Sequence, residues 1–140
     1  MKDGFVSVKR EWAPGDTVQL DLAMPVCVVR AHTNAADEAG RVALMRGPLV
    51  YALESVDNGP ALHRYEIDPS QEFRLVAAKG LPRGTVAIRG EARVWERPGE
   101  ELYSPAPPRA RRRAFTAIPY ALWQNRGPAE MRVWLRERLR

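Results

Sequence analysis

An all-β domain, specifically an antiparallel β-sandwich or jelly roll, is what this chain of 140 residues predicts. Apolar and polar residues alternate with a period of two over most of the length, and the three-to-four-residue spacing of an amphipathic helix is missing. The apolar runs are also short, and they are punctuated by many of the 12 prolines and 10 glycines.

Taken in order, Phe5, Val6 and Val8 open a first strand, and in residues 17–22 Val18, Leu20 and Leu22 alternate with Thr17, Gln19 and Asp21. Between them stand Ala13, Pro14, Gly15 and Asp16. Proline presets a negative φ and glycine tolerates a positive one, so this is a tight turn and the two runs read as a hairpin. Residues 26–31 continue extended, and residues 34–40 form a polar loop. Two apolar runs follow at 42–45 and 49–53, split by Gly47 and Pro48. A proline removes a ladder donor, so a bulge or kink is expected there. The apolar density around Leu49, Val50 and Tyr51 predicts a core strand, with Leu49 and Tyr51 both buried and the tyrosine hydroxyl bonded.

Residues 57–70 are rich in turns, while 72–77 and 85–95 read as strands around a loop at 79–84. Residues 98–108 make the longest loop. Strands are expected at 114–118, 120–124 and 130–135, with a helical or frayed tail at 136–140. No repeat or linker divides the chain, so residues 1–140 are read as a single domain.

The formal charge of +5 suits an anionic partner, and Arg109, Arg111, Arg112 and Arg113 concentrate it. Because they follow Pro105, Pro107 and Pro108, they read as an exposed connecting loop. Nucleic-acid surfaces interleave aromatics with cations, and that pattern is missing, so a nucleic-acid partner is not expected. No apolar run approaches the roughly 20 residues of a membrane span, and the N-terminal residues lack the apolar stretch of a signal peptide. A cytoplasmic chain with no membrane partner is the expectation. Cys27, the single cysteine, cannot form an intramolecular disulfide, which fits a reducing compartment, and its β-branched neighbours make it read as a small buried hydrophobe.

General acid–base chemistry needs two carboxylates held at a set separation. Glu54, Asp57, Glu66 and Asp68 sit around turns instead, where acidic side chains cap amides or stay solvated. His32 and His63 have no partner at metal-ligand spacing, and neither a phosphate-binding glycine loop nor a nucleophile elbow occurs. No catalytic residue, metal site or cofactor is therefore expected within the chain. The four tryptophans offer flat faces on which the apolar C–H face of a sugar can stack. Trp12 and Trp134 read as packing. Trp123 adjoins the polar loop 124–128, so Tyr120, Trp123, Asn125 and Arg126 are the candidates for binding or for a domain interface.

The succession Ile118-Pro119-Tyr120, then Trp123, then Asn125-Arg126-Gly127-Pro128 before a closing strand, resembles the C-terminal region of glycoside hydrolase family 127, the β-L-arabinofuranosidase-like proteins. Two further stretches agree, in the same order: residues 41–51 with Arg46-Gly47-Pro48-Leu49-Val50-Tyr51, and Arg10-Glu11-Trp12 followed by Gly15-Asp16 and residues 20–25. The resemblance implies an accessory β-sandwich packed against an (α/α)6 catalytic barrel. That barrel, with its zinc-held cysteine nucleophile and its glutamates, precedes the matching region in the family, and Cys27 does not inherit its role. Ala121-Leu122 stands where the family more often has a further aromatic, and Ala129 where glycine is common, which leaves the sugar open.

The resemblance further implies that the sandwich draws strands from before the equivalent of Phe5. Self-association is then expected, through an open sheet edge or through the face near Tyr120, Trp123 and Arg126. A reading from another class is a free-standing carbohydrate-binding module with weak glycan affinity. An anion binder using residues 109–113 would instead show affinity that falls steeply with salt.

Overall fold

The computed structural model describes residues 4–97, 99 and 101–139. Among the described residues, nine strands form one hydrogen-bonded sheet: β1 (Val26–Arg30), β2 (Arg41–Arg46), β3 (Leu49–Glu54), β4 (Tyr65–Ile67), β5 (Arg74–Ala77), β6 (Val86–Glu96), β7 (Arg109–Pro119), β8 (Met131–Arg132) and β9 (Leu135–Glu137). The order is β1-β2-β9-β4-β6-β7-β3-β8, and because β3 also pairs with β2, six strands close into a barrel-like ring. Strands β1, β5 and β8 extend it from β2, β6 and β3. The all-β expectation holds, but the pairing describes a closed sheet rather than two facing sheets. One ladder also departs from the antiparallel rule: β4 runs parallel to β9.

The ring closes because inward side chains alternate as the period-two pattern requires. Val42 and Leu44, Tyr51 and Leu53, Tyr65 and Ile67, and Phe115 and Ala117 fill one cluster together with Leu135. The longest ladder, β6 with β7, sets Gly90 opposite Phe115. A Cβ at Gly90 would lie 2.8 Å from Phe115 Cε1 and 2.9 Å from Gln71 Oε1, so the ring needs the bare backbone. The Gln71 amide completes this edge as a strand would: its Nε2 donates to Glu91 O at 2.9 Å, and its Oε1 accepts from Glu91 N at 2.7 Å. Tyr51 is buried and its hydroxyl donates to Val86 O at 3.0 Å, as its strand context predicted.

Several expectations are corrected. Gly47 and Pro48 form the two-residue turn of a β2–β3 hairpin, with Arg46 opposite Leu49, rather than a kink in one long strand. Gly47 has φ +56°, and proline's negative φ follows it, the pattern of the primed turn that matches strand twist. Leu49 shares a face with Tyr51 but lies next to that turn, past the end of the core, and is 40% exposed. Cys27 is exposed, because β1 pairs only with β2 and covers little. The arginines from 109 to 113 belong to β7, not to a loop. Residues 120–124 give a 3-10 turn at Tyr120–Leu122 in place of a strand, residues 130–135 split into β8 and the start of β9, and residues 136 and 137 of the supposed tail are strand.

The predicted turn at 13–16 is present: Asp16 N donates to Ala13 O at 3.1 Å, and Ala13 N to the Asp16 carboxylate at 2.9 Å. Its flanks do not pair as a hairpin. Phe5, Val6, Val8, Val18, Leu20 and Leu22 are all more than half exposed. Trp12, read as packing, is 53% exposed, with the Arg10 guanidinium 5.1 Å over its ring.

Candidate functional site

The loop after β7 is fixed to the end of β3 by a buried ion pair. β3 runs directly into a one-turn helix, α1 (Ser55–Asn58), and β7 into the 3-10 turn at Tyr120–Leu122. Glu54, the last residue of β3, is completely buried. One of its oxygens accepts from Gln124 N at 2.5 Å, and the other from Arg126 Nη2 at 2.5 Å. Gln124 has φ +65°, a left-handed conformation that side chains other than glycine resist, and the bond to Glu54 holds it there.

Arg126 also forks onto Asp57, Nη1 to Oδ1 at 3.0 Å and Nη2 to Oδ2 at 2.6 Å, and it donates to Lys79 O at 3.2 Å. The hydrogen bonds to Asp57 come first in raising its pKa still further above the ordinary arginine value, burial opposes them, and Glu54 adds to the rise. The guanidinium is therefore a permanent cation held between two carboxylates.

Neighbouring polar groups are committed in the same way. Asn58, fully buried, donates through Nδ2 to Glu54 O and Thr116 O, each at 2.8 Å, and accepts from Thr116 N at 2.9 Å. Its carbonyl accepts the Tyr65 hydroxyl at 2.5 Å. Burial raises the pKa of that phenol, with Arg113 opposing. The Glu130 carboxylate accepts from the amides of Ala61 and Leu62 at 2.8 Å each. Glu66 accepts the Trp95 indole N–H at 2.8 Å, and Asp68 caps Ser70 N at 2.9 Å as its turn context predicted.

The four residues singled out from sequence therefore diverge. Arg126 turns inward onto Glu54 and Asp57. Asn125 is exposed, and Trp123 is half-buried. Tyr120, 45% exposed, lines a groove of about 550 Å³ with Val50, Met131 and Trp134, rimmed by Glu38, Arg41 and Arg132. Trp134, read as packing, thus belongs to the groove. The sequence reading missed Glu54 as a buried partner and treated it as a turn residue. The available signal was its place at the end of an unbroken apolar strand, where a carboxylate is buried along with its neighbours and needs a cation. Among the described residues no cluster of three or more histidine, cysteine or acidic side chains is arranged to hold a metal.

The buried polar groups of this closed β-domain anchor its own loops, and the comparison with known families gives its class: residues 26–136 match the glycoside hydrolase family 127 C-terminal domain. The chain belongs to that family. It is similar to the non-reducing end β-L-arabinofuranosidase of Bifidobacterium longum, with 37% identity over 97% of this chain but only 22% of the relative. Among solved structures, a family 127 β-L-arabinofuranosidase from Geobacillus stearothermophilus T6 superposes with a TM-score of 0.77 at 42% identity, covering 82% of this chain and 18% of that one. A family 127 β-arabinofuranosidase superposes at 0.69 with 29% identity, over 82% of this chain and 17% of that structure. The chain thus spans about a fifth of the length of the proteins it matches.

Proposed function

We propose that this chain is the non-catalytic C-terminal domain of a β-L-arabinofuranosidase-type glycoside hydrolase, packing against the catalytic barrel. The observation that carries the reading is the engagement of its buried carboxylate: Glu54 is occupied by Gln124 and Arg126, while Asp57, Glu66 and Glu130 hold neighbouring groups in place. A glycosidase needs one carboxylic acid and one base or nucleophile flanking the scissile bond, both free to meet substrate. The family resemblance supplies zinc-held cysteine chemistry from the barrel. The residues here do not fit that group, since Cys27 is the sole cysteine and stands exposed on β1, so no step is routed through zinc. With zinc and reductant supplied, the chain is expected to release no nitrophenol from a panel of arabinofuranosides and galactosides above a buffer blank. Sustained turnover abolished by a single substitution such as Glu66→Gln would overturn the assignment.

The segment 5–22 supports a second part of the reading, self-association. Its apolar side chains stand in water, and it lies outside the stretch matched by the family domain, which begins at residue 26. Extended apolar segments without a sheet neighbour recruit one. At micromolar concentration, light scattering is expected to give a mass above the monomer that falls to the monomer value in a Leu20→Lys, Leu22→Lys variant. A strictly monomeric parent chain would refute it.

A further inference from the structure

We infer that the groove between β3, β8 and the Tyr120 turn is a binding subsite for a neutral glycosyl unit of the arabinofuranosyl class. The kind of sugar rests on the family reading above; the existence of a site rests on the groove itself.

The aromatic residues of this fold divide by what their polar atoms do. Tyr51 and Tyr65 bond backbone carbonyls through their hydroxyls, and the Trp95 indole N–H bonds Glu66. Buried aromatics use their polar atoms in this way because an unmet donor is costly. Among the described residues Tyr120 and Trp134 make no such bond, and both line the same groove. Trp123 also lacks one, but it lies outside the groove and serves as a comparison.

The rest of the lining supplies the other half of what a sugar requires. Val50 and Met131 are apolar, suited to the C–H face of a furanose ring. On the rim, Glu38 and Arg41 form an ion pair at 3.2 Å, one residue from the short helix Ala36–Glu38 and the other from the start of β2. A carboxylate and a guanidinium held side by side present an acceptor next to planar donors, the match for adjacent ring hydroxyls. Arg132 adds a further cation. The volume of about 550 Å³ falls within the roughly 300–1,000 Å³ of small-molecule sites and fits one or two sugar rings. An open groove with two aromatic groups binds weakly, with a dissociation constant on the order of 1 mM.

The test is an NMR titration of the full chain with methyl β-L-arabinofuranoside, following the indole N–H signals. The Trp134 signal is expected to shift saturably, while the Trp123 signal stays in place and a Trp123→Phe variant binds as the parent does. Tyr120→Ala, at an exposed position, and Glu38→Gln, which keeps the side chain's size at a part-buried one, are expected to keep the parent's spectral dispersion and to weaken binding about tenfold each. The inference is overturned if the Trp134 signal does not move up to about 50 mM ligand, if both variants bind like the parent, or if Trp123→Phe abolishes binding. Saturation by galacturonate with none by the neutral sugar would also overturn it, because the arginines alone would then be acting. A failed titration leaves the activity assay untouched, so the loss of this site is distinguishable from the loss of the accessory-domain reading.

Discussion

Replacing Arg126 with alanine is expected to lower the unfolding free energy by about 3–5 kcal/mol, the cost of removing one partner of a buried ion pair. Glu54 would remain in a fully buried position with a single amide, from Gln124, to meet its charge. Asp57 would lose its cation as well, though it reaches more solvent. Gln124 would be left in its left-handed conformation with a weakened anchor. Urea denaturation of the parent and the variant provides the measurement, and a loss below about 1 kcal/mol, the range of exposed pairs, would show that the pair is solvated. A double variant, Glu54→Leu with Arg126→Leu, is expected to be more stable than either single change, because no charge is then stranded. The pH dependence has a definite sign. Since the arginine's folded-state pKa is raised, its contribution is complete below the pKa of free arginine and is lost only as pH rises through the folded value, so Arg126 adds no pH slope across the neutral range.

Phe115→Ala is expected to cost about 3–5 kcal/mol by a different route. The ring is 1% exposed, meets Phe73 edge-to-face with centroids 6.5 Å apart, and rests on the bare backbone of Gly90. Truncation leaves a void at the third pair of the longest ladder, where the other eight pairs hold the backbone and limit collapse onto it, as the continuous register from Ile88 to Glu96 on β6 shows. Thermal and urea unfolding should agree. A loss under about 1.5 kcal/mol would mean that β6 and β7 close over the gap, as isosteric repacking does.

How much of this was legible beforehand depended on whether a residue's signal was local. β6, with Ala92 and Val94 inward and Arg93 and Trp95 outward, could be read from alternation alone. The first half of β7 could not, because residues 109–114 are exposed on both faces and carry no apolar period to detect. β9 is three residues long, and its central Arg136 is polar, so only its partners in β2 and β4 make it a strand. In residues 5–22 alternation marked a face expected to be dry, but that face is exposed, because a pattern of that kind says nothing about what would cover it. Of the site, the polar loop 124–128 and the aromatics beside it were identified from sequence, although residues 120–124 were read as a strand. Its anchor was not, since Arg126 meets Glu54 from 72 positions away and only the closed sheet brings them together. Trp134 was assigned to packing because neighbours on a strand cannot reveal that the adjacent surface is concave.

The seam of the ring lies at its most C-terminal strand. β9 slots between β2 and β4, Leu135 opposite Val42 and Arg136 opposite both Arg41 and Glu66. During synthesis the earlier strands therefore leave the ribosome as an open curl, with the margins of β2 and β4 bare, and nothing made before residue 135 can zip them together. Closing so long a loop is a late and entropically costly event, and barrels dominated by such distant pairings fold over milliseconds to seconds rather than microseconds. Until that moment, the two unsealed margins are the part of the nascent domain most open to capture by a chaperone or by another copy of the chain.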